Sequence, residues 1–98
     1  MGWTVIKEDF EGNEIEKLSD EFRLSNIDVL YNSNYQVIKY LDPYGDTTFN
    51  TLMLEDLISD LIELKNLKTE SANQIDKIIK LATDSKNEVH TFIKFYGD

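Results

Sequence analysis

Cysteine is absent from the 98 residues, histidine and proline occur once each, and glycine only four times. Without a thiol there can be no disulfide framework, thiolate nucleophile or zinc–thiolate site. The lone imidazole, His90, excludes metal sites that need two histidines and would have to be the base of any nucleophile–base triad. The pattern places it mid-strand between Val89 and Thr91, with no nucleophile in an evident elbow. None of the glycines precedes Lys-Ser or Lys-Thr, so a phosphate-cradling loop is missing and nucleotide binding has no support. No apolar run approaches the ~20 residues of a membrane span, and the opening Met1-Gly2-Trp3-Thr4-Val5 has no basic stretch followed by an apolar one, so the expected location is the cytoplasm. Gly2 would invite myristoylation, but Ile6 stands where that signal wants Ser or Thr.

What the chain does contain is the composition of a folded domain, 41% hydrophobic and 30% charged. Its length suits one domain, residues 1–98, which buries roughly 60–65% of the surface of its unfolded form without staples. A monomer or homodimer is expected. The formal charge is −9, and it is segregated. Through Glu63 fourteen carboxylates meet four cations, a balance of −10; from Leu64 onward five meet six, a balance of +1. A field of that sign repels nucleic acid and anionic membrane and speeds encounter with a basic protein. It also serves plain solubility.

Alternation predicts a first strand over Trp3–Phe10, broken at Gly12-Asn13. Asn13 and Glu16 have capping-box spacing, and Ile15, Leu18 and Phe22 follow helically, which predicts a short helix over Glu14–Phe22 with a strand as the competing reading. Residues 25–33 read as a loop with some extended character, closed by the turn cluster Asn32-Ser33-Asn34. A strand over Tyr35–Leu41, a type I turn at Asp42-Pro43-Tyr44-Gly45 and a returning strand over Asp46–Leu52 make a central hairpin. Two amphipathic helices follow. The first buries Leu54, Leu57, Ile58, Leu61, Ile62 and Leu64 and turns Asp56, Ser59, Asp60 and Glu63 outward. The second, capped by Ser71 with Gln74, buries Ala72, Ile75, Ile78, Ile79 and Ala82 and runs to about Ser85. A last strand over Glu88–Tyr96 has aromatic bulk on both faces and so belongs inside the sheet. The fold class is α+β: a small, mostly antiparallel sheet of N-terminal strand, central hairpin and C-terminal strand, packed on two helices.

Candidate chemistry is confined to carboxylates and tyrosines. Asp56, Asp60 and Glu63 form a stripe one helical turn apart, a spacing open to a divalent cation or an acid–base pair but commonest on a solvated face. Asp42 and Asp46 flank the turn without a twelve-residue calcium loop around them. Tyr31, Tyr35, Tyr40 and Tyr44 crowd one stretch near Asp28, Asp42 and Asp46, and tyrosine supplies rigid amphipathic contact area. The partner-binding candidates are therefore Asp28, Tyr31, Tyr35, Asp42, Tyr44, Asp46, Asp56, Asp60 and Glu63. No catalytic residue, cofactor or metal is expected.

The segment Leu41-Asp42-Pro43-Tyr44-Gly45-Asp46-Thr47-Thr48-Phe49-Asn50, the leucine-rich helix after it and the terminal Phe95-Tyr96-Gly97-Asp98 resemble a group of small, mostly uncharacterised acidic bacterial proteins. The resemblance covers roughly residues 35–98, implies no catalytic residue, and is loosely immunity-protein-like. The expected function is non-enzymatic binding of a basic protein, such as a nuclease-type toxin, with no direct contact to nucleic acid or membrane. The alternatives are nucleic-acid mimicry, which needs the acids in one continuous stripe, and a small ligand-binding or enzyme module, which needs two such groups in one hollow with His90 or a tyrosine as proton carrier.

Overall fold

Alternating burial in the first strand sets the architecture. β1 (Gly2–Asp9) buries Trp3 and Val5 on one face and leaves Thr4 and Ile6 half-exposed on the other. The computed structural model describes residues 2–25, 27–31, 34–67 and 72–97. Over these the chain runs β1, β2 (Glu14–Lys17), β3 (Phe22–Arg23), β4 (Asp46–Phe49), α1 (Leu54–Leu67), α2 (Ala72–Ser85) and β5 (Thr91–Gly97). The strand order is β2-β1-β5-β4, with β3 paired to the other end of β1, and every pairing is antiparallel. This is an α+β fold, one sheet and two helices, as the residue pattern predicts.

The helices cover a single sheet face. Leu54, Leu57, Leu61 and Leu64 of α1 and Ile75, Ile78, Leu81 and Ala82 of α2 meet Trp3, Val5, Phe49, Ile93 and Phe95 from the strands. Phe95 stands edge-on to both Phe22 and Phe49, with centroids 6.3 and 5.5 Å apart. β5 lies between β1 and β4, inside the sheet as its two apolar faces require. Ile62, assigned to the buried arc, is instead 48% exposed.

Several local expectations fail. The loop read over residues 25–33 holds a 3-10 helix at Ile27–Tyr31, and the strand expected to reach Leu52 stops at Phe49, before a 3-10 turn over Thr51–Met53. The helix over Glu14–Phe22 is absent. Asp9 Oδ1 accepts the backbone N–H groups of Glu11 and Asn13, Gly12 takes φ +85°, and the resulting tight turn sends Glu14–Lys17 back along β1. Three apolar residues could not bury a helical face well enough to outweigh that pairing. The strand over Tyr35–Leu41 is absent too, so β4 has no hairpin partner there and, among the described residues, pairs with β5 alone. The backbone donors of residues 36–38 are taken by a side chain, and the chain then tightens into a 3-10 turn over Ile38–Tyr40. Finally, β5 starts at Thr91, leaving His90 in the preceding turn with φ +63°. The capping box proposed for α2 depends on Ser71, and the turn cluster on Asn32 and Ser33, all outside the described residues; Gln74 itself bridges to the β3 region, its amide donating to Glu21 O while its Oε1 accepts from Arg23 N at 3.4 Å.

Candidate functional site

The segment from Tyr35 to Asp46 carries most of the candidate residues, and buried anchors hold it in place. Asp60, 2% exposed on the inner side of α1, aims its carboxylate at three consecutive backbone amides. It accepts from Gln36 at 2.9 Å, Val37 at 2.8 Å and Ile38 at 3.0 Å. Further on, Tyr31 donates its hydroxyl to Leu41 O at 3.2 Å and Trp3 donates Nε1–H to Asp42 O at 2.9 Å. The turn at Asp42–Gly45 forms as expected, with Tyr44 N–H on Asp42 Oδ1 at 2.9 Å and Gly45 N–H on Asp42 O at 3.4 Å. Gly97 then donates to Gly45 O at 2.8 Å, and a Cβ at Gly97 would stand 2.6 Å from the carbonyl oxygens of Asp42 and Pro43. Only glycine permits that approach, so the turn and the end of β5 fit together through bare backbone.

On this base the rings point outward. Tyr40 is 65% and Tyr44 73% exposed, and Tyr31 is partly so. Burial, then the charges of Asp42 and Asp28 and the neighbouring Tyr44, push the Tyr31 hydroxyl above the usual tyrosine pKa, which places these four residues in one electrostatic neighbourhood. Asp46 opens β4 on the sheet face that no helix covers, facing Tyr96 across the strand pair. Asp56 and Glu63 lie exposed along α1.

Two of the nine candidates belong elsewhere. Asp60 is an interior acceptor and not part of a solvated stripe, because three backbone donors converge on it. Tyr35 is 2% exposed and faces inward. Its hydroxyl has no hydrogen-bond partner among the described residues, and burial, then Glu63 and Asp60, raise its pKa. Tyr40, not among the nine, joins Tyr44 as the most exposed ring. Its exposure follows from the 3-10 turn, which alternation in the sequence does not reveal.

An unpartnered buried hydroxyl costs stability, so Tyr35→Phe is expected to raise it by about 1 kcal/mol. Sign follows from linkage: the folded pKa lies above the unfolded value of about 10, so the unfolded chain releases its proton first and stability declines as pH rises past that value. Denaturant titrations between pH 8 and 11 should show a shallower alkaline decline for Tyr35→Phe than for the native chain. Equal slopes with no gain in midpoint would contradict the assignment.

Charge pairing is uneven. Six ion pairs occur among the described residues: Lys7–Glu88, Arg23–Glu21, Lys65–Asp76, Lys77–Asp20, Lys86–Glu55 and Lys94–Glu8. None of them includes Asp42, Asp46, Asp56 or Glu63. The acids do not make one stripe, however. Glu14 and Glu16 lie on β2 at one edge of the sheet and Asp46 on β4 at the other, three strand spacings or roughly 14 Å apart.

The hollows offer less. Glu8 and Asp9 line a shallow one of about 210 Å³, but both carboxylates already have partners. Tyr96 donates its hydroxyl to Glu8, and Asp9, its pKa lowered chiefly by the Asn13 backbone N–H, is held in its own turn. The His90 ring packs tilted against Phe10, centroids 5.3 Å apart and planes at 57°. Among the described residues no group of three or more His, Asp or Glu is placed to hold a metal, and no helix is long and apolar enough to cross a membrane.

Comparison with protein-family models, with curated proteins and with solved structures finds no match to this chain.

Proposed function

We propose that this chain is a non-enzymatic, acidic protein-binding domain of the cytoplasm whose partner presents a basic surface, in its specific form an immunity- or antitoxin-type inhibitor of a nuclease-like protein. One observation carries the reading: Tyr40 and Tyr44 stand exposed on a segment clamped from below by Asp60, Trp3 and Gly97, next to Asp42 and Asp46, which none of the six ion pairs among the described residues includes. A backbone held in place before the encounter has less freedom to lose on binding, and tyrosine itself has few rotatable bonds. A chain of formal charge −9 steers a cationic partner and disfavours anionic ones. The separation of the acids on opposite sheet edges speaks against a phosphate-like stripe.

Capture from lysate of the native host at low and high salt tests this. The expected result is a stoichiometric basic protein, held at low salt and released as salt rises, and bound at least ~30-fold more weakly by a Tyr40→Ala/Tyr44→Ala variant, the loss of about 2 kcal/mol typical of central aromatic contacts. Both rings are exposed, so the variant should melt with the native chain. A partner that ignores salt and both rings would refute the proposal.

A further inference from the structure

The two edges of the sheet are unlike. β2 is guarded by Glu14, Glu16 and Lys17 and by a register shift between Lys7 and Glu8 in the strand it pairs with, devices that discourage further strand pairing. β4 has no such guard beyond Asp46. Its free groups can be assigned from one bond. Gly97 donates to Gly45 O, so Gly45 and Gly97 form a hydrogen-bonded pair of the antiparallel ladder, and such pairs alternate along it. Thr47 and Phe49 therefore bond toward β5, and Asp46 and Thr48 direct N–H and C=O outward. The same alternation on the far side of the sheet is confirmed by Leu18 N–H bonding Val5 O. No other backbone–backbone bond involves residues 46–49 among the described residues.

We propose that β4 is extended by an extended basic segment of the partner protein, which adds a sixth strand at Asp46–Phe49; this rests on the acidic-domain reading above. Charge selects the occupant. Asp46 begins the strand with its side chain exposed on the uncovered sheet face, and Asp42 and Tyr44 lie just before it. Lys94 of β5, opposite Thr48, already acts on Asp46 from one side, and a cationic residue of the added strand gains a cross-strand pair with it from the other. A second copy would instead juxtapose two molecules of charge −9 with a carboxylate at each edge. The strand is short, about 13 Å for its four residues, so the backbone bonds set register and the neighbouring rings supply contact area.

Thr48→Pro is the decisive variant. It deletes an N–H that points to solvent, a place where an edge strand tolerates proline, so the sheet should survive and added pairing should not. The probe is an amidated (Lys-Val)4 peptide, with (Glu-Val)4 as control, followed by amide shifts and hydrogen exchange in labelled protein. Expected are salt-sensitive shifts and protection centred on Asp46 and Thr48 with the cationic peptide only, at least ~10-fold weaker in Thr48→Pro, the loss of about one hydrogen bond, and unchanged in Thr48→Val. Should the proline variant fail to fold, Asp46→Lys substitutes, expected to lose (Lys-Val)4 and gain (Glu-Val)4. Shifts mapping away from β4, no binding at millimolar peptide, or a dimer that Thr48→Pro dissolves would each overturn the inference. Retention of the captured partner by Thr48→Pro alongside its loss in Tyr40→Ala/Tyr44→Ala overturns strand addition alone; strand addition by the peptide with no salt-sensitive partner in the lysate overturns the acidic-domain reading instead.

Discussion

A chain ending at His90 is expected not to fold. β5 is the strand on which the sheet is assembled, paired along seven residues of β1 and four of β4. Its loss exposes backbone donors and acceptors on both neighbours and removes Ile93 and Phe95, each fully buried. Phe95 is also the ring on which Phe22 and Phe49 meet. Nothing local replaces it, because β1 and β4 are joined to each other only through β5. A domain of this size has a total stability of about 5–10 kcal/mol. Phe95→Ala alone should remove about 3–5 kcal/mol and lower Tm by roughly 15–30 °C, so deleting the whole strand exceeds what the rest can sustain. Far-UV circular dichroism with Trp3 fluorescence is the check. A cooperative melt in the truncated chain, with Trp3 still shielded, would show that β5 is an accessory and not the central strand.

The parts of the fold legible in the residues are those whose hydrophobic period is carried through a whole element. Trp3 and Val5 alternate, α1 and α2 repeat every three to four residues, and β5 is apolar on both faces; each forms the element its pattern predicts, although β5 begins three residues late and Ile62 leaves the buried arc. Two of the failures occur where a polar side chain captured the backbone. Asp9 closed the turn that made Glu14–Lys17 a strand, and Asp60 took the donors that a strand over residues 35–41 would have used. Around the candidate site, the turn that holds Asp42 and Tyr44 and leads into Asp46 is readable because the chemistry of Asp42-Pro43-Tyr44-Gly45 is local. Asp60 was misplaced, yet a signal existed. It sits three residues after Leu57, one before Leu61 and four before Leu64, within reach of the buried arc, whereas Ile62 falls off that arc into solvent. A lone carboxylate beside a leucine stripe needs donors that only the tertiary fold can supply.

Asp60→Ala is expected to cost about 3–5 kcal/mol, because it orphans the amides of Gln36, Val37 and Ile38 together and a buried unsatisfied donor costs ~1–3 kcal/mol. Gln36 is exposed and water can reach its amide, which keeps the total below the sum of three full penalties. Asp60→Asn retains one acceptor oxygen but turns an NH₂ toward a donor, and should lose about 2–3 kcal/mol. Asp60→Leu separates the causes: it restores volume and apolar contact in the stripe but accepts no hydrogen bond, so a loss equal to that of the alanine variant assigns the effect to the amides. Denaturant unfolding measures the energies, and hydrogen exchange at residues 36–38 should quicken in all three variants. A cost under 1 kcal/mol for Asp60→Ala, with those amides still protected, would mean that packing alone holds the segment. The same contact links stability to binding. Residues 36–38 form the footing on which Tyr40, Asp42 and Tyr44 stand, so loosening them restores rotational and backbone freedom that a partner must then remove. Asp60→Asn, mild enough to leave the chain folded, should therefore weaken partner capture although the side chain lies too deep to touch the partner.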